Sequence, residues 1–242
     1  MKHEPESHLP EPLEPGKHAT ESHLPEPLVV NPLGAIVLVG GASARMGRPK
    51  AWLPFGPGEV LLTRTVRVLS ACASPIVVVA APSQELPELP REIVVVRDAT
   101  DGEGPLAGFV TGLEALAPYG SHAFVTATDT PFLATALVTS LRAYCEGHDA
   151  AVPFVHGRHH PLAAVYATRL VSRARELFDH GERRMCAVVA LGTTHLVTEA
   201  ELRAVDPELL SLENLNTPAD YEAALTRLMN SANIISTSSI RA

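Results

Sequence analysis

The sequence predicts a single three-layer α/β domain, in which a mostly parallel, Rossmann-like sheet is covered by helices on both faces. Short runs of β-branched and apolar residues alternate with helical patterns along the chain. The first run, at residues 35–39, is continuously apolar, which is typical of a strand buried on both faces. A glycine-rich loop follows it directly, and ligands of such sheets bind outside the carboxyl ends of the strands.

Five more apolar runs are expected to form strands. They lie at residues 76–79, 93–96, 122–126, 150–154 and 161–166. Helical patterns lie between the strands, at residues 61–71, 105–116, 133–144 and 169–178. A last helix is expected to begin with Thr217 as N-cap, Pro218 at the first helical position and Asp220 completing a capping box.

Both ends of the chain are polar and are expected to lie outside the domain. Residues 1–30 are rich in proline and glutamate and contain the octapeptide ESHLPEPL twice, a composition that predicts disorder. Residues 230–242 are expected to form a frayed C-terminal tail. The folded domain is therefore expected to span residues 31–229.

Composition limits the function. The formal net charge is −8, which argues against nucleic-acid binding because such proteins carry a basic surface. The N-terminus lacks the pattern of a secretory signal, and no apolar stretch approaches the roughly 20 residues that span a bilayer. The three cysteines are far apart and lack zinc-binding spacing. These observations predict a cytoplasmic protein with reduced cysteines and no membrane contact.

The loop after the first strand indicates anion binding. Gly40 and Gly41 let backbone N–H groups approach an anion closely, and Arg45 and Lys50 add the positive charge that a triphosphate requires. The loop is not a P-loop, because no hydroxyl residue follows Lys50. It also lacks the GxGxxG pattern of a dinucleotide fingerprint. The plainer alternative is a glycine-rich surface loop with incidental basic residues.

Two acidic loops follow later strands. Asp98 comes just after the third predicted strand, where a carboxylate can bind a base or a ribose. Asp129 comes after the fourth, where a carboxylate can hold Mg²⁺. Either loop alone also fits an ordinary turn. Because all three loops follow strands, they can lie along one edge of the sheet, which favours a shared nucleotide site.

These motifs resemble those of the molybdenum cofactor guanylyltransferases, within the MobA-like nucleotidyltransferases. The similar runs, in chain order, are LVGGASARMG at residues 38–47 with the later Lys50, GPLAG at 104–108, DTP at 129–131, NLNTP at 214–218 and, more weakly, HP at 160–161 and GERR at 181–184. The resemblance covers residues 34–228. It implies a fold like that of the nucleotide-diphospho-sugar transferases.

The resemblance implies Mg²⁺-dependent transfer of GMP from GTP to the terminal phosphate of molybdenum-molybdopterin, a phosphorylated pterin, with release of pyrophosphate. The implied catalytic residues are Arg45 and Lys50, on the phosphates, and Asp129, on Mg²⁺. The implied nucleotide contacts are Leu38, Val39, Gly40, Gly41, Lys50, Asp98 and Asp129. The implied acceptor-side residues are His160, Pro161, Arg183, Asn214 and Asn216. Proteins of molybdoenzyme maturation are implied as partners.

Departures from the family pattern leave the base open. Val39 replaces the usual alanine, and the run TAT at residues 126–128 replaces a frequent Pro-Cys. Ala80 stands where some guanylyltransferases have an asparagine near the nucleotide. The alternatives are a cytidylyltransferase, another small-phosphate nucleotidyltransferase, and a non-catalytic nucleotide-binding module.

Two basic clusters allow more than one interpretation. His156, His159 and His160 suggest a transition-metal site, but successive strand residues point to opposite faces, which argues against one. The resemblance implies an acceptor-facing turn at His160 and Pro161 instead. Arg183 and Arg184 suit either an acceptor phosphate or a solvated helix start.

Overall fold

The computed structural model describes residues 33–39, 49–99 and 102–239, with side chains through residue 231. Within these residues an eight-stranded sheet forms the centre of the domain. Its strands are β1 (Leu33–Leu38), β2 (Ile76–Ala80), β3 (Val94–Arg97), β4 (His122–Ala127), β5 (Ala150–Val155), β6 (Arg158–His159), β7 (Ala163–Ala167) and β8 (Thr194–Thr198). The helices are α1 (Leu61–Ser70), α2 (Pro105–Leu116), α3 (Thr135–Tyr144), α4 (Val171–Asp179), α5 (Glu199–Arg203) and α6 (Pro218–Ser239).

The sheet confirms the predicted fold class. Its strand order is β3-β2-β1-β4-β7-β5-β6, and β8 pairs with β5. The pairs among β1, β2, β3 and β4 are all parallel, as is the pair of β5 and β8. The strand β7 is antiparallel to both β4 and β5, so it joins a Rossmann-like parallel half to a smaller mixed half. The carboxyl ends of the first four strands therefore share one edge.

Helices cover both faces of the sheet. On one face, a buried cluster joins residues of β1 and β4 to the helices α1, α3 and α5, through side chains such as Leu62, Leu137 and Leu202. The opposite cluster joins the other face to α2 and α4. The helix α2 packs closely on β1 because residue 112 is glycine: a Cβ there would lie 2.5 Å from Ile36 Cγ2.

A third, smaller core connects α6 to the segment before α1. It contains Leu53, Phe55, Leu61, Leu215 and Ala224, all buried. The ring of Phe55 meets the ring of Phe132 edge to face, with centroids 5.5 Å apart. Since Phe132 lies three residues after Asp129, this core supports the turn that follows β4.

Some element boundaries differ from the prediction. The strand β8 and the helix α5 were not predicted, because the run THLVT at Thr194–Thr198 is half-polar. The strand expected at residues 161–166 begins at Ala163, because residues 160–162 form a turn closed by the Ala163 N–H on the His160 carbonyl at 3.1 Å.

The two predicted tails lie at the limits of the described residues. The helix α6 continues to Ser239, past residue 230, where a frayed tail was expected. The acidic segment at residues 1–30 lies outside the described residues. None of the described helices is long and apolar enough to cross a bilayer.

Candidate functional site

Lys50 and Asp129 meet at the carboxyl edge of the parallel strands. Lys50 Nζ lies 2.9 Å from Asp129 Oδ2, and the two side chains are 21% and 20% exposed. Asp129 follows β4, whereas Lys50 opens a short 3₁₀ helix, Lys50–Trp52, that precedes α1. The fold thus brings the predicted phosphate-binding cation to the predicted metal-binding carboxylate, in a place that solvent and ligands can still reach.

Buried threonines shape the turn that carries Asp129. Thr126 Oγ1 and Thr130 Oγ1 lie 3.2 Å apart, and Thr130 Oγ1 donates to the Ala127 carbonyl at 3.2 Å. These bonds satisfy hydroxyl groups that would otherwise be buried without partners. From the other side, the Leu215 N–H donates to the Asp129 carbonyl at 2.9 Å. The turn is therefore held both by β4 and by the loop before α6.

These supporting residues were not predicted from the sequence. The threonines carried a signal, since hydroxyl residues at alternate positions 126, 128 and 130 surround the carboxylate. Leu215 gave no such signal, because its bond is made by the backbone N–H and does not depend on the type of side chain.

The segment after Lys50 is anchored on two sides. Leu53 and Phe55 are buried in the core beneath α6. Trp52 Nε1 donates to the Glu85 carbonyl at 3.1 Å, although the indole is 41% exposed. Lys50 is thereby tied to the loop that follows β2.

Asp98 lies at the same edge, beyond β3. Its N–H donates to the Ala80 carbonyl at 2.9 Å. Gly108 of α2 lies close by: a Cβ there would be 3.4 Å from Asp98 Oδ2 and 3.2 Å from Leu38 Cδ2. The absence of a side chain at residue 108 therefore keeps open the space between α2 and the ends of β1 and β3. Leu38 and Val39 are both buried at the end of β1.

The structure thus groups Leu38, Val39, Lys50, Asp98 and Asp129 along the predicted edge. Gly40, Gly41 and Arg45 lie outside the described residues, so their roles stay predictions.

A pocket of about 460 Å³ opens beside the start of α2. Four of the predicted acceptor-side residues line it: His160, Pro161, Arg183 and Asn214. Leu162, Met185 and Leu212 supply apolar parts of its wall. The pocket adjoins the Lys50–Asp129 pair through Asn214, whose neighbour Leu215 bonds to the Asp129 carbonyl.

The pocket contains a histidine that favours its neutral form. Burial lowers the pKa of His160, and the neighbouring basic side chains of His156, Arg158 and His159 lower it further. A neutral imidazole can donate one hydrogen bond and accept another. Among the described residues no group of three or more His, Cys, Asp or Glu side chains is arranged to hold a metal ion, so the alternative of a transition-metal site at these histidines receives no support.

The two arginines of the pocket differ in what they bind. Arg183 Nη1 donates to the carbonyls of Phe178 and Glu182, at 2.8 Å each, and its guanidinium lies 4.3 Å from the centroid of the Phe178 ring. Arg184 is 82% exposed and pairs with the Glu182 carboxylate at 2.9 Å. That ion pair, with the N–H groups of both arginines, holds the pKa of Glu182 at about 2. Arg183 is thus well placed to shape the pocket wall, whereas Arg184 can reach a ligand.

Asn216 does not line this pocket. Its N–H and that of Thr217 donate to Asp220 Oδ2, at 2.9 and 2.8 Å, and Thr217 Oγ1 accepts from the Asp220 N–H at 3.2 Å. The predicted capping box at the start of α6 is therefore confirmed. These N–H groups, and to a lesser degree the charge of Lys50, lower the pKa of Asp220. The start of α6 thus lies within electrostatic reach of Lys50.

The chain is similar to proteins of a described family. The family of the MobA-like NTP transferase domain matches residues 35–197. A Mycobacterium tuberculosis protein named "Probable molybdenum cofactor guanylyltransferase" is 40% identical over 198 residues, which cover 80% of this chain and 94% of that protein.

Solved structures show the same similarity. Molybdopterin-guanine dinucleotide biosynthesis protein A from Archaeoglobus fulgidus has a TM-score of 0.67 and 25% identity, with coverage of 82% of this chain and 100% of that one. The 2-C-methyl-D-erythritol 4-phosphate cytidylyltransferase from Thermus thermophilus has a TM-score of 0.60 and 21% identity, with coverage of 81% and 99%. The latter similarity is one of fold.

Proposed function

This chain belongs to the family of MobA-like NTP transferases, and from that premise we propose that it transfers GMP from GTP to the terminal phosphate of molybdenum-molybdopterin. It is a nucleotidyltransferase, and pyrophosphate is the second product. The observation that carries the proposal is the meeting of Lys50 and Asp129 at the carboxyl edge, joined through the Leu215 N–H to a loop that lines the adjoining pocket. A nucleotide on one side and a phosphorylated acceptor on the other would have their phosphates at this pair.

The proposed chemistry needs no general base. A terminal phosphate oxygen of the acceptor attacks the α-phosphorus of GTP in line, forming a new P–O bond while the bond to the β-phosphate oxygen breaks. A phosphate monoester has its second pKa near ~6, so the acceptor is largely dianionic at neutral pH. The protein therefore contributes positioning and charge stabilisation, as in other phosphoryl-type transfers. Lys50 would stabilise the charge on the departing pyrophosphate.

The residues present fit a divalent cation, and we take Mg²⁺ as the one used. Asp129 would hold it, because its carboxylate is partly exposed at a strand end. Mg²⁺ commonly takes one or two protein carboxylates and completes its shell with water and substrate phosphates, so the lack of a larger ligand cluster among the described residues is expected. The ion would supply positive charge that offsets the negative charge of the substrate phosphates.

The pocket beside α2 suits the acceptor. Its apolar wall, Leu162, Met185 and Leu212, suits the face of a fused heterocycle, and Asn214 and the neutral imidazole of His160 offer donors and acceptors for the edge of a pterin. Arg184 supplies an exposed positive charge for an anionic group. A cytoplasmic location and contacts with molybdoenzyme-maturation proteins, expected from the sequence, stay predictions.

Pyrophosphate release tests the proposal. The protein is incubated with Mg²⁺ and molybdenum-loaded molybdopterin, and GTP, CTP and ATP are offered separately. We expect release with GTP, and its loss when the acceptor is omitted or when Asp129→Asn removes the carboxylate charge while keeping the shape. Release with CTP alone would instead make the protein a cytidylyltransferase. No release with any of them, despite tight nucleotide binding, would mean a different acceptor or a binding module.

A further inference from the structure

The side chain of Gln84 replaces one bond of the ladder between β1 and β2. In that ladder the Val39 N–H donates to the Val79 carbonyl at 2.8 Å. The parallel register places the next bond between the Ala81 N–H and the Val39 carbonyl. Instead, the Ala81 N–H donates to Gln84 Oε1 at 3.2 Å, and Gln84 Nε2 donates to the Val39 carbonyl at 3.0 Å. The carboxamide thus lies between the two strand ends and separates them.

The two partners determine which way the carboxamide faces. A carbonyl only accepts hydrogen bonds and a backbone N–H only donates them, so Nε2 must face Val39 and Oε1 must face Ala81. Nε2 carries a second N–H, for which the described residues supply no hydrogen-bond acceptor. The result is one oriented donor at the end of β1.

The loop that carries Gln84 is fastened to its surroundings. Arg97 Nη1 donates to the carbonyls of Ala81 and Gln84, at 2.9 and 2.6 Å. Trp52 Nε1 donates to the carbonyl of the next residue, Glu85. The loop is therefore connected to β3 on one side and to the Lys50 segment on the other, so the donor is held in a defined place.

That place lies among the groups expected to contact the nucleoside. Gln84 bonds to Val39, an expected nucleotide contact, and to Ala81. The preceding residue, Ala80, accepts from the N–H of Asp98, a second expected contact, at 2.9 Å. Ala80 itself is fully buried and ends in a methyl group, so it cannot present a polar group to a base.

We propose that Gln84 selects the base, its remaining Nε2 N–H donating to the keto oxygen at position 6 of guanine. The inference rests on the proposed guanylyltransferase function, which it makes more specific. A donor at this point favours a purine with a keto group at position 6, because that oxygen accepts a hydrogen bond. It disfavours adenine, whose amino group at the same position would bring two donors face to face.

Nucleotide binding without acceptor tests the proposal. The dissociation constants of GTP, inosine triphosphate and ATP are measured by calorimetry on the full chain, since the last two nucleotides differ only at the N1–C6 edge of the purine. Wild type should prefer inosine triphosphate to ATP. The variant Gln84→Leu should lose roughly 3–10-fold of that preference, the worth of about one hydrogen bond. Gln84→Glu keeps the acceptor for the Ala81 N–H but removes both N–H donors, including the one that bonds to the Val39 carbonyl. Because an acceptor then replaces the donor assigned to the base, the preference should shift towards ATP.

A matched variant separates base selection from loop support. Trp52→Phe removes the bond to the Glu85 carbonyl and loosens the same loop. It should therefore lower the affinity for all three nucleotides by a common factor. If Gln84→Leu also lowers the affinity for all three nucleotides by a common factor, the proposal is wrong and Gln84 is only a structural spacer. Wild-type protein that binds inosine triphosphate and ATP equally well would overturn the proposal too. Pyrophosphate release with GTP is read separately, so the proposed function can stand while the role of Gln84 fails. Thermal unfolding of each variant confirms that it is folded.

Discussion

At the scale of single residues, the proposed chemistry depends on Lys50 and Asp129, which form an ion pair between distant parts of the chain. Replacing Lys50 by alanine should lower turnover about 10²–10³-fold, because a positive charge beside the phosphates is lost in a partly desolvated site. Steady-state pyrophosphate release measures this. Arg175→Ala is the matched control, since it removes an exposed charge that pairs with Glu114 on the surface, and it should keep normal turnover. Near-normal turnover of Lys50→Ala would contradict the assigned role.

The two pocket arginines should separate structure from binding. Arg183→Ala removes two hydrogen bonds to backbone carbonyls and the stacking on Phe178, so it should cost about 1–3 kcal/mol of unfolding free energy in urea titrations. Arg184→Ala should leave the urea midpoint unchanged, because its pair with Glu182 is exposed. It should raise the KM for the acceptor instead. The opposite pattern would mean that Arg183 is the ligand-binding residue.

The meeting of individual candidate residues was predictable where residue type and motif are informative, and their roles stay predictions. Lys50, Asp98 and Asp129 follow predicted strands, and His160 and Asn214 belong to recognisable motifs that line one pocket. The supporting hydrogen bonds were not predictable. The carboxamide of Gln84 acts through a ladder position that depends on the register of two strands, and register is a property of the folded sheet.

At the scale of elements, the small core under α6 supports the site mechanically. Phe55→Ala should lower the free energy of unfolding by about 3–5 kcal/mol, because a fully buried ring that contacts Phe132 is removed. It should also lower turnover of the folded fraction, because the same core anchors the Lys50 segment and the Asp129 turn. Leu141→Ala in α3 is the control, because Leu141 lies outside the small core and its loss should lower the free energy of unfolding by a similar amount, about 2–5 kcal/mol. Equal turnover per folded molecule in the two variants would show that the core only stabilises the fold.

Elements were predictable where one physical signal dominates. Continuous apolar runs identified the strands of the parallel half, and the capping box identified the start of α6. The position of β7 was not predictable. It pairs antiparallel between β4 and β5, and that order follows from long-range packing rather than from its own sequence. The strand β8 was missed because three of its five residues are polar, so its sequence lacks a continuous apolar run.

At the scale of the whole molecule, we expect the two edges of the sheet to have different tasks. The carboxyl edge carries the candidate chemistry. The opposite edge is held by Asp149, whose carboxylate accepts from Arg169 Nε at 2.6 Å and from the Thr193 N–H at 2.9 Å. The Thr193 bonds and then Arg169 lower the pKa of Asp149. This arrangement allows stability to be altered at one edge without touching the chemistry at the other.

His122, at the start of β4 on that opposite edge, makes the separation testable through pH. Burial lowers its pKa from the ordinary value of 6.5, Arg142 and Arg169 lower it further, and Asp149 acts against them. Because the folded pKa is depressed, the unfolded chain takes up the proton first, and stability present above pH 6.5 is lost as the pH falls through the folded pKa. His122→Gln should therefore lose less unfolding free energy than wild type between about pH 7 and pH 5, as measured by urea titration.

The same variant should keep its turnover at neutral pH, because His122 lies at the opposite edge of the sheet from Lys50 and Asp129. His160 retains its own depressed pKa in the variant, so the pH dependence should shrink rather than vanish. An unchanged pH slope would show that His122 protonation is not linked to folding. A fall in turnover without a change in slope would mean that the two edges of the sheet are coupled, and the division of tasks between them would then be wrong.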